Sequence, residues 1–192
     1  MFIRVKKVKK RNGRVYEYAH LVHGIWRKRR LKKGLEKNKF IKFNNSVHKY
    51  KGIIGRVYRF ENNKQINFDN FFDAGFESFV ENNVIEDIYK KLIEYELVSR
   101  NFRKIGKVYS KSGIFVDLDR LIVHNGKSDA VIKLNDFSGY LCSLNLEDLF
   151  KIKKIENKYE GIYLVKKMKS LGIKISPENF FILANKLLEE NK

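Results

Sequence analysis

The stretch that decides the fold of the first part of the chain is FIRVKKVKKRNGRVYEYAHLV, residues 2–22. Two extended runs, Phe2–Lys10 and Val15–Val22, flank the turn sequence RNGR. The Asn-Gly pair is favoured at the centre of a type I′ hairpin turn because both residues tolerate positive φ angles. Both faces of the second run are partly apolar, which is typical of a strand inside a sheet. The sequence therefore predicts a β-hairpin with a basic strand near the edge and an internal second strand.

Two more extended runs follow the hairpin. They are Lys39–Phe43 and Val47–Phe60, and the second is interrupted at Gly52 and Gly55. Three or four strands within 60 residues indicate a small curled sheet or barrel, which leaves long loops free. We expect LVHGIWRKRRLKKG, residues 21–34, to form one of these loops.

The distribution of charge divides the chain into two parts. The protein has 192 residues, with 41 Lys and Arg, 22 Asp and Glu, and a formal net charge of +19. Residues 1–60 contain 20 basic and two acidic residues, whereas residues 61–192 contain 21 basic and 20 acidic residues. Such a concentration of positive charge attracts polyanions and indicates a dedicated electrostatic surface. We therefore expect a basic nucleic-acid-binding β module at 1–60, a linker at 61–74 and a near-neutral α+β domain at 75–192.

Two groups of basic residues are candidates for binding phosphate, because Lys supplies charge and Arg adds a bidentate fork. The first group is the basic cluster Arg27, Lys28, Arg29, Arg30, Lys32 and Lys33. The second is the hairpin group Lys6, Lys7, Lys9, Lys10, Arg11 and Arg14.

Aromatic residues lie close to both groups in sequence. Trp26 directly precedes the basic cluster, and Tyr16, Tyr18, Tyr50 and Tyr58 are near it. Aromatic rings among basic residues can stack on unpaired bases. They can equally belong to a core, and this second interpretation is favoured for the rings. For the charges a binding role is favoured, since no acidic residues balance them.

The second part of the chain has the pattern of a mixed domain. Asn83-Val-Ile-Glu86 resembles a capping box with Asn83 as N-cap, followed by apolar residues at helical spacing to about Val98. A β meander is predicted next, with strands at Lys104–Tyr109, Ile114–Leu118, Leu121–His124, Asp129–Leu134 and Gly139–Ser143.

Two helices are predicted to close the chain. The first spans Gly161–Leu171 and ends at Gly172. The second follows Ser176-Pro177, a favourable N-cap and first helical residue, and continues to about Leu188. The fold class predicted from all these elements is α+β.

A metal-dependent nuclease is the enzymatic alternative. Asp117 and Asp119, with Asp129 and Lys133, loosely imitate an arrangement in which carboxylates hold Mg²⁺ and a lysine orients water. However, Asp129 and Lys133 are four residues apart instead of two. The sequence has no Gly-rich phosphate loop and no nucleophile motif. We therefore predict no catalytic residue, with Asp117 and Asp119 as the alternative.

Metals, cofactors and membranes are not expected. His20 and His23 are three residues apart on a strand and so point to opposite faces. Cys142 is the only cysteine and fits a reducing environment, so a cytoplasmic location is predicted. No apolar run approaches the roughly 18–20 residues of a membrane helix.

The run FIRVKKVKKRNGRVYEYAHLV, followed by basic residues and KYKGIIGRVYRFE, resembles the opening module of IS-element transposases. The resemblance covers roughly residues 2–60 and implies contact with nucleic acid, DNA first. It implies no activity, because the rest of the chain is too short for a transposase catalytic domain. The chain also resembles a group of uncharacterised archaeal proteins with the same opening.

The sequence thus predicts a non-enzymatic nucleic-acid-binding protein that contacts the phosphate backbone. DNA is slightly favoured, with structured RNA or the ribosome close behind. A third hypothesis is an adaptor, in which residues 75–192 bind a protein partner and the first part anchors the complex on nucleic acid.

Overall fold

The computed structural model describes residues 1–26, 46–62, 64–72, 75–134 and 139–189. The fold class is α+β, as predicted. The chain divides into two compact units, Met1–Gly55 and Arg56–Lys192.

The first unit contains a β-hairpin and most of a third strand. Strand β1 (Phe2–Lys9) pairs antiparallel with β2 (Val15–Trp26), in a register from Phe2↔Val22 to Lys9↔Val15. Strand β3 (Ser46–Arg59) lies on the other side of β2, so β1 is at the edge and β2 is internal. The predicted hairpin and the predicted order of its strands are therefore confirmed.

The turn of the hairpin differs from the predicted type I′ turn. The Gly13 amide donates to the Lys10 carbonyl at 2.9 Å, and the Lys10 amide donates to the Arg14 carbonyl at 2.9 Å. Gly13 has a φ of +78°, whereas Asn12 does not have a positive φ. Instead, the Asn12 side chain accepts a hydrogen bond from the Arg14 amide at 3.1 Å. The loop is thus a three-residue connection that ends in a left-handed glycine, and the type I′ prediction was wrong.

Strand β2 is longer than predicted, and β3 is continuous where two interruptions were predicted. Strand β2 continues to Trp26, so the beginning of the predicted loop at residues 21–34 is a strand. Strand β3 passes through Gly52 and Gly55 without a break. A β-carbon added at Gly52 would contact nothing, and the apolar residues around the glycines favour extended structure. The predicted strand Lys39–Phe43 lies outside the described residues.

In the second unit, the predicted meander is divided between two sheets. Strands β4 (Arg103–Ile105), β5 (Val108–Lys111), β6 (Ile114–Asp117) and β7 (Ile122–His124) form an antiparallel sheet in that order. Its β5–β6 turn has positive φ at both Ser112 and Gly113, the geometry of a type I′ turn. The predicted strand Lys104–Tyr109 is divided by a turn at Gly106, where φ is +62°.

The last two strands of the predicted meander join β3 instead. Strand β8 (Ala130–Lys133) pairs parallel with the end of β3, from Arg56↔Ala130 to Arg59↔Lys133. Strand β9 (Tyr140–Leu141) pairs antiparallel with β8. A parallel partner more than 70 residues away along the chain leaves no signal in local periodicity, which explains the error.

The described helices all lie in the second unit. They are α1 (Phe68–Phe71), α2 (Phe76–Asn82), α3 (Ile85–Val98), α4 (Ser143–Phe150), α5 (Lys158–Leu171) and α6 (Pro177–Glu189).

Several predicted helix ends are confirmed. Helix α3 ends at Val98, and α5 ends at Gly172, which has a φ of +91°. Ser176 caps α6, because its Oγ accepts from the Asn179 amide at 3.2 Å.

Two helix predictions were wrong. The N-cap of α3 is Val84, because the Asn83 side chain donates to the Phe79 carbonyl at 2.8 Å and is held at the end of α2. Helix α4 replaces the end of the predicted strand Gly139–Ser143.

The segment predicted as a linker contributes to the core of the second unit. It contains α1, and Phe72 is only 1% exposed. The rings of Phe68, Phe72 and Phe76 lie within 5.3 Å of one another, between centroids. These aromatic residues therefore have a packing role that the linker interpretation did not include.

A buried ion pair lies at the end of α3. Arg100 is 1% exposed, and its Nη1 donates to Glu96 Oε2 and to the Glu96 carbonyl, each at 2.7 Å. Its Nη2 donates to the Leu134 carbonyl, and Glu96 Oε1 accepts from the Lys174 amide at 2.9 Å. The pair thus ties α3 to the segments that follow β8 and α5.

None of the helices within the described ranges has the length and apolar character needed to cross a bilayer.

Candidate nucleic-acid interface

Strand alternation divides the hairpin side chains between two faces. On one face, Arg4 lies opposite His20 and Lys6 lies opposite Tyr18. On the other face, Lys7 lies opposite Glu17 and Lys9 lies opposite Val15. The hairpin group of cations is therefore not one patch, because its strand members point in two directions.

We call the first of these surfaces the aromatic–basic face. Lys10 belongs to this face because its Nζ lies 6.0 Å from the Tyr18 ring centroid. Two rings of β3 belong to it as well: the His48 ring contacts the Phe2 ring, and the Tyr50 ring contacts the His20 ring. The face consists of Phe2, Arg4, Lys6, Lys10, Tyr16, Tyr18, His20, His48 and Tyr50.

All cations of the hairpin group are exposed to solvent. Arg4, Lys49 and Lys51, which are not among the sequence-predicted candidates, are exposed as well. Within the part of the first unit that the structure describes, Glu17 is the only acidic residue and none of these nine cations forms a salt bridge. Their charges are therefore available to an external anion.

Seven other sequence-predicted candidates lie outside the described residues or are described by their backbone alone. Arg27, Lys28, Arg29, Arg30, Lys32 and Lys33 lie outside the described residues. Trp26 is the last residue of β2, and only its backbone is described.

Rings on the aromatic–basic face contact one another and remain partly exposed. The centroid distance is 5.2 Å between Phe2 and His48 and 5.4 Å between His20 and Tyr50. Tyr50 is 53% exposed and Phe2 is 42% exposed, whereas His20 is buried. A buried ring thus fixes a neighbouring ring whose other surface is open to solvent.

His20 is electrically neutral at pH 7 on this face. Burial, and secondarily the charge of Lys6, lowers the pKa of His20 below its usual 6.5. Its Nδ1 has no hydrogen-bond partner among the described residues. The positive charge of the face therefore comes from Arg4, Lys6 and Lys10.

Sequence reasoning missed Arg4, Phe2 and His48 as members of this surface. Period-two alternation along β1 groups Phe2 and Arg4 with Lys6, so that signal was present. The position of His48 and Tyr50 depends on the pairing of β3 with β2, which the sequence does not specify.

Asp117 and Asp119 both have local partners in the second unit. Asp117 Oδ1 accepts from the Asp119 and Arg120 amides, each at 3.0 Å, and so shapes the turn after β6. Asp119 Oδ1 lies 2.6 Å from Lys90 Nζ, which lowers the pKa of this carboxyl. No group of three or more potential metal ligands occurs among the residues with described positions. Asp117 thus shapes the turn after β6, and Asp119 is paired with Lys90.

Two hollows of the second unit are lined by residues of both charges. One of about 420 Å³ is lined by Lys90, Lys91 and Lys104, but also by Glu94 and Asp119. The acids offset much of the positive charge, so this hollow differs from the nearly acid-free first unit.

In comparisons with known proteins, no family model matches the chain, and no curated protein or solved structure is significantly similar to it.

Proposed function

We propose that this chain is a non-enzymatic nucleic-acid-binding protein whose first unit contacts the phosphate backbone. The observation that carries the proposal is the set of nine exposed cations on β1, its turn and β3, accompanied by one acidic residue. Binding phosphate breaks no salt bridge of these cations within the described structure. Each contact therefore adds favourable charge neutralisation and counterion release.

Contacts of this kind fix position on a nucleic acid without reading its sequence. Sequence readout would require contacts to base edges. The resemblance of residues 2–60 to IS-element transposases supports DNA as the first substrate to test, with structured RNA next.

Neither alternative function gains comparable support. The nuclease hypothesis depends on Asp117 and Asp119, whose described contacts are with neighbouring amides and with Lys90. The protein partner of residues 75–192 stays a prediction.

Matched charge variants test the proposal. The hairpin variant replaces Lys9, Lys10, Arg11 and Arg14 with Gln. The control variant makes the same change at four exposed cations of the second unit, Lys127, Lys158, Lys166 and Lys169. Both variants lose the same formal charge.

Affinity for a DNA duplex and for an RNA hairpin is measured by fluorescence anisotropy at one low salt concentration. We expect the hairpin variant to lose at least tenfold in affinity and the control variant to lose much less. Equal losses would mean that binding follows net charge alone, and absence of binding by the parent would overturn the proposal.

A further inference from the structure

We propose that the aromatic–basic face binds single-stranded nucleic acid, with unpaired bases stacked on Tyr18 and Tyr50 and phosphates held by Arg4, Lys6 and Lys10. This inference rests on the proposed function and adds to it the class of substrate and the mode of recognition.

The first argument is the alternation of charge and ring across the hairpin. Neighbouring same-face residues along a strand are about 6.6 Å apart, so Arg4 and Lys6 form a short row of charge on β1. Tyr18 lies opposite Lys6 on β2, and Lys10 Nζ lies 6.0 Å from the Tyr18 ring centroid. Lys6 and Lys10 are thus beside an aromatic ring, the combination by which proteins bind single strands without reading sequence.

The second argument is the exposure and support of Tyr50. About half of this side chain is open to solvent, although its ring contacts the buried His20 ring at 5.4 Å. A ring held from one side has little conformational freedom left to lose on binding. Because His20 is neutral, its ring adds apolar support without adding charge.

The third argument concerns the choice between single and double strands. In a duplex the base faces are stacked on each other, so the exposed protein rings find no base to stack on. Only the cations then contribute to affinity. The two faces of the hairpin both carry cations, but the Tyr18 and Tyr50 rings lie on the face that carries Lys6 and Lys10. A single strand uses both components of this face, whereas a duplex uses one.

The stacking test uses three probes at one salt concentration: a short oligothymidine, an abasic strand of the same length and a duplex of that length. The abasic strand keeps the phosphates and lacks the bases. We expect the parent to bind the oligothymidine most tightly of the three. Tyr50→Ala should lower affinity for oligothymidine roughly 5- to 150-fold, which corresponds to about 1–3 kcal/mol per stacked base. Its affinity for the abasic strand should change little.

Two further variants separate stacking from folding. Tyr50→Phe keeps the ring and should bind nearly as the parent does. Ile53→Ala removes an exposed apolar side chain from β3 on the opposite side of the strand and should leave affinity unchanged. Melting curves of all variants establish that they are folded.

A charge-matched pair tests the face independently of the tyrosines, including the case in which Tyr50→Ala does not fold. Lys6 and Lys10 replaced together by Gln remove two charges from the aromatic–basic face. Lys7 and Lys9 replaced together remove the same charge mainly from the other face. We expect the first pair to weaken oligothymidine binding several-fold more than the second.

The outcomes distinguish this inference from the proposed function. Equal binding of oligothymidine and abasic strand, with equal effects of the two lysine pairs, would overturn stacking and leave the phosphate model standing. No binding to any of the three probes would overturn both. Preferential binding to anionic lipid vesicles, with weak binding to all three strands, would also count against this inference.

Discussion

Replacing Arg100 with Met should destabilise the second unit by about 3–5 kcal/mol, because a buried carboxylate would lose its charged partner. Arg100 and Glu96 are both almost completely buried, and Nη1 makes two hydrogen bonds of 2.7 Å to Glu96. The substitution also removes the donor to the Leu134 carbonyl. The Lys174 amide stays hydrogen-bonded to Glu96, which compensates only part of the loss.

The matched control is a more exposed pair in the same unit. Lys151 Nζ lies 3.6 Å from Asp148 Oδ1, and Asp148 keeps a second partner, Lys167, at 2.5 Å. Lys151→Met should therefore change stability by about 0–1 kcal/mol.

Urea denaturation followed by far-ultraviolet circular dichroism measures both effects, because every described helix lies in the second unit. The fluorescence of Trp26, the only tryptophan, follows the first unit separately. If Arg100→Met lowers the urea midpoint of the circular-dichroism transition no further than Lys151→Met does, the Arg100–Glu96 pair does not stabilise the second unit as predicted.

Three further predictions use other parts of the chain. Cys142 is buried, and burial raises its pKa to about 11, so a thiol reagent should modify it slowly in the native protein near neutral pH and rapidly in denaturant. Folding lowers the pKa of His20, so its neutral form contributes stability that is present above pH 6.5 and is lost as the pH falls below that value. Urea titrations followed by Trp26 fluorescence should show this loss of stability in the parent and a smaller loss in His20→Phe. Replacing Arg27, Lys28, Arg29 and Arg30 together with Ser should weaken nucleic-acid binding by a large factor. The melting temperature should stay the same or rise slightly, because these like charges repel one another. A melting curve and a binding titration on the same variant measure the two effects.

Local signals predicted local structure well. The hairpin of β1 and β2, the end of α5 at Gly172 and the cap of α6 at Ser176 each depend on residues close together in sequence. The Asn83 cap failed because its side chain forms a hydrogen bond to the preceding helix, an alternative that the motif does not reveal.

Long-range pairing set the limit of prediction. Strand β8 has the apolar pattern of a meander strand and pairs with β9, but its other partner is the end of β3. The same limit applies to the candidate site. The basic residues were evident from composition, whereas the grouping of Tyr50 with His20 requires two strands to be placed side by side. The sequence alone therefore predicted the basic residues but not the grouping of rings and cations on the aromatic–basic face.

The most direct test of phosphate binding by the first unit is the dependence of DNA affinity on salt. With about six to ten phosphate contacts, the parent should lose roughly 10³–10⁵ in affinity between about 50 and 200 mM salt. The hairpin variant lacks four cations, so its slope of log affinity against log salt on a duplex should be shallower by about 3.6. A flat salt dependence of the parent, or equal slopes for the two proteins, would contradict the account.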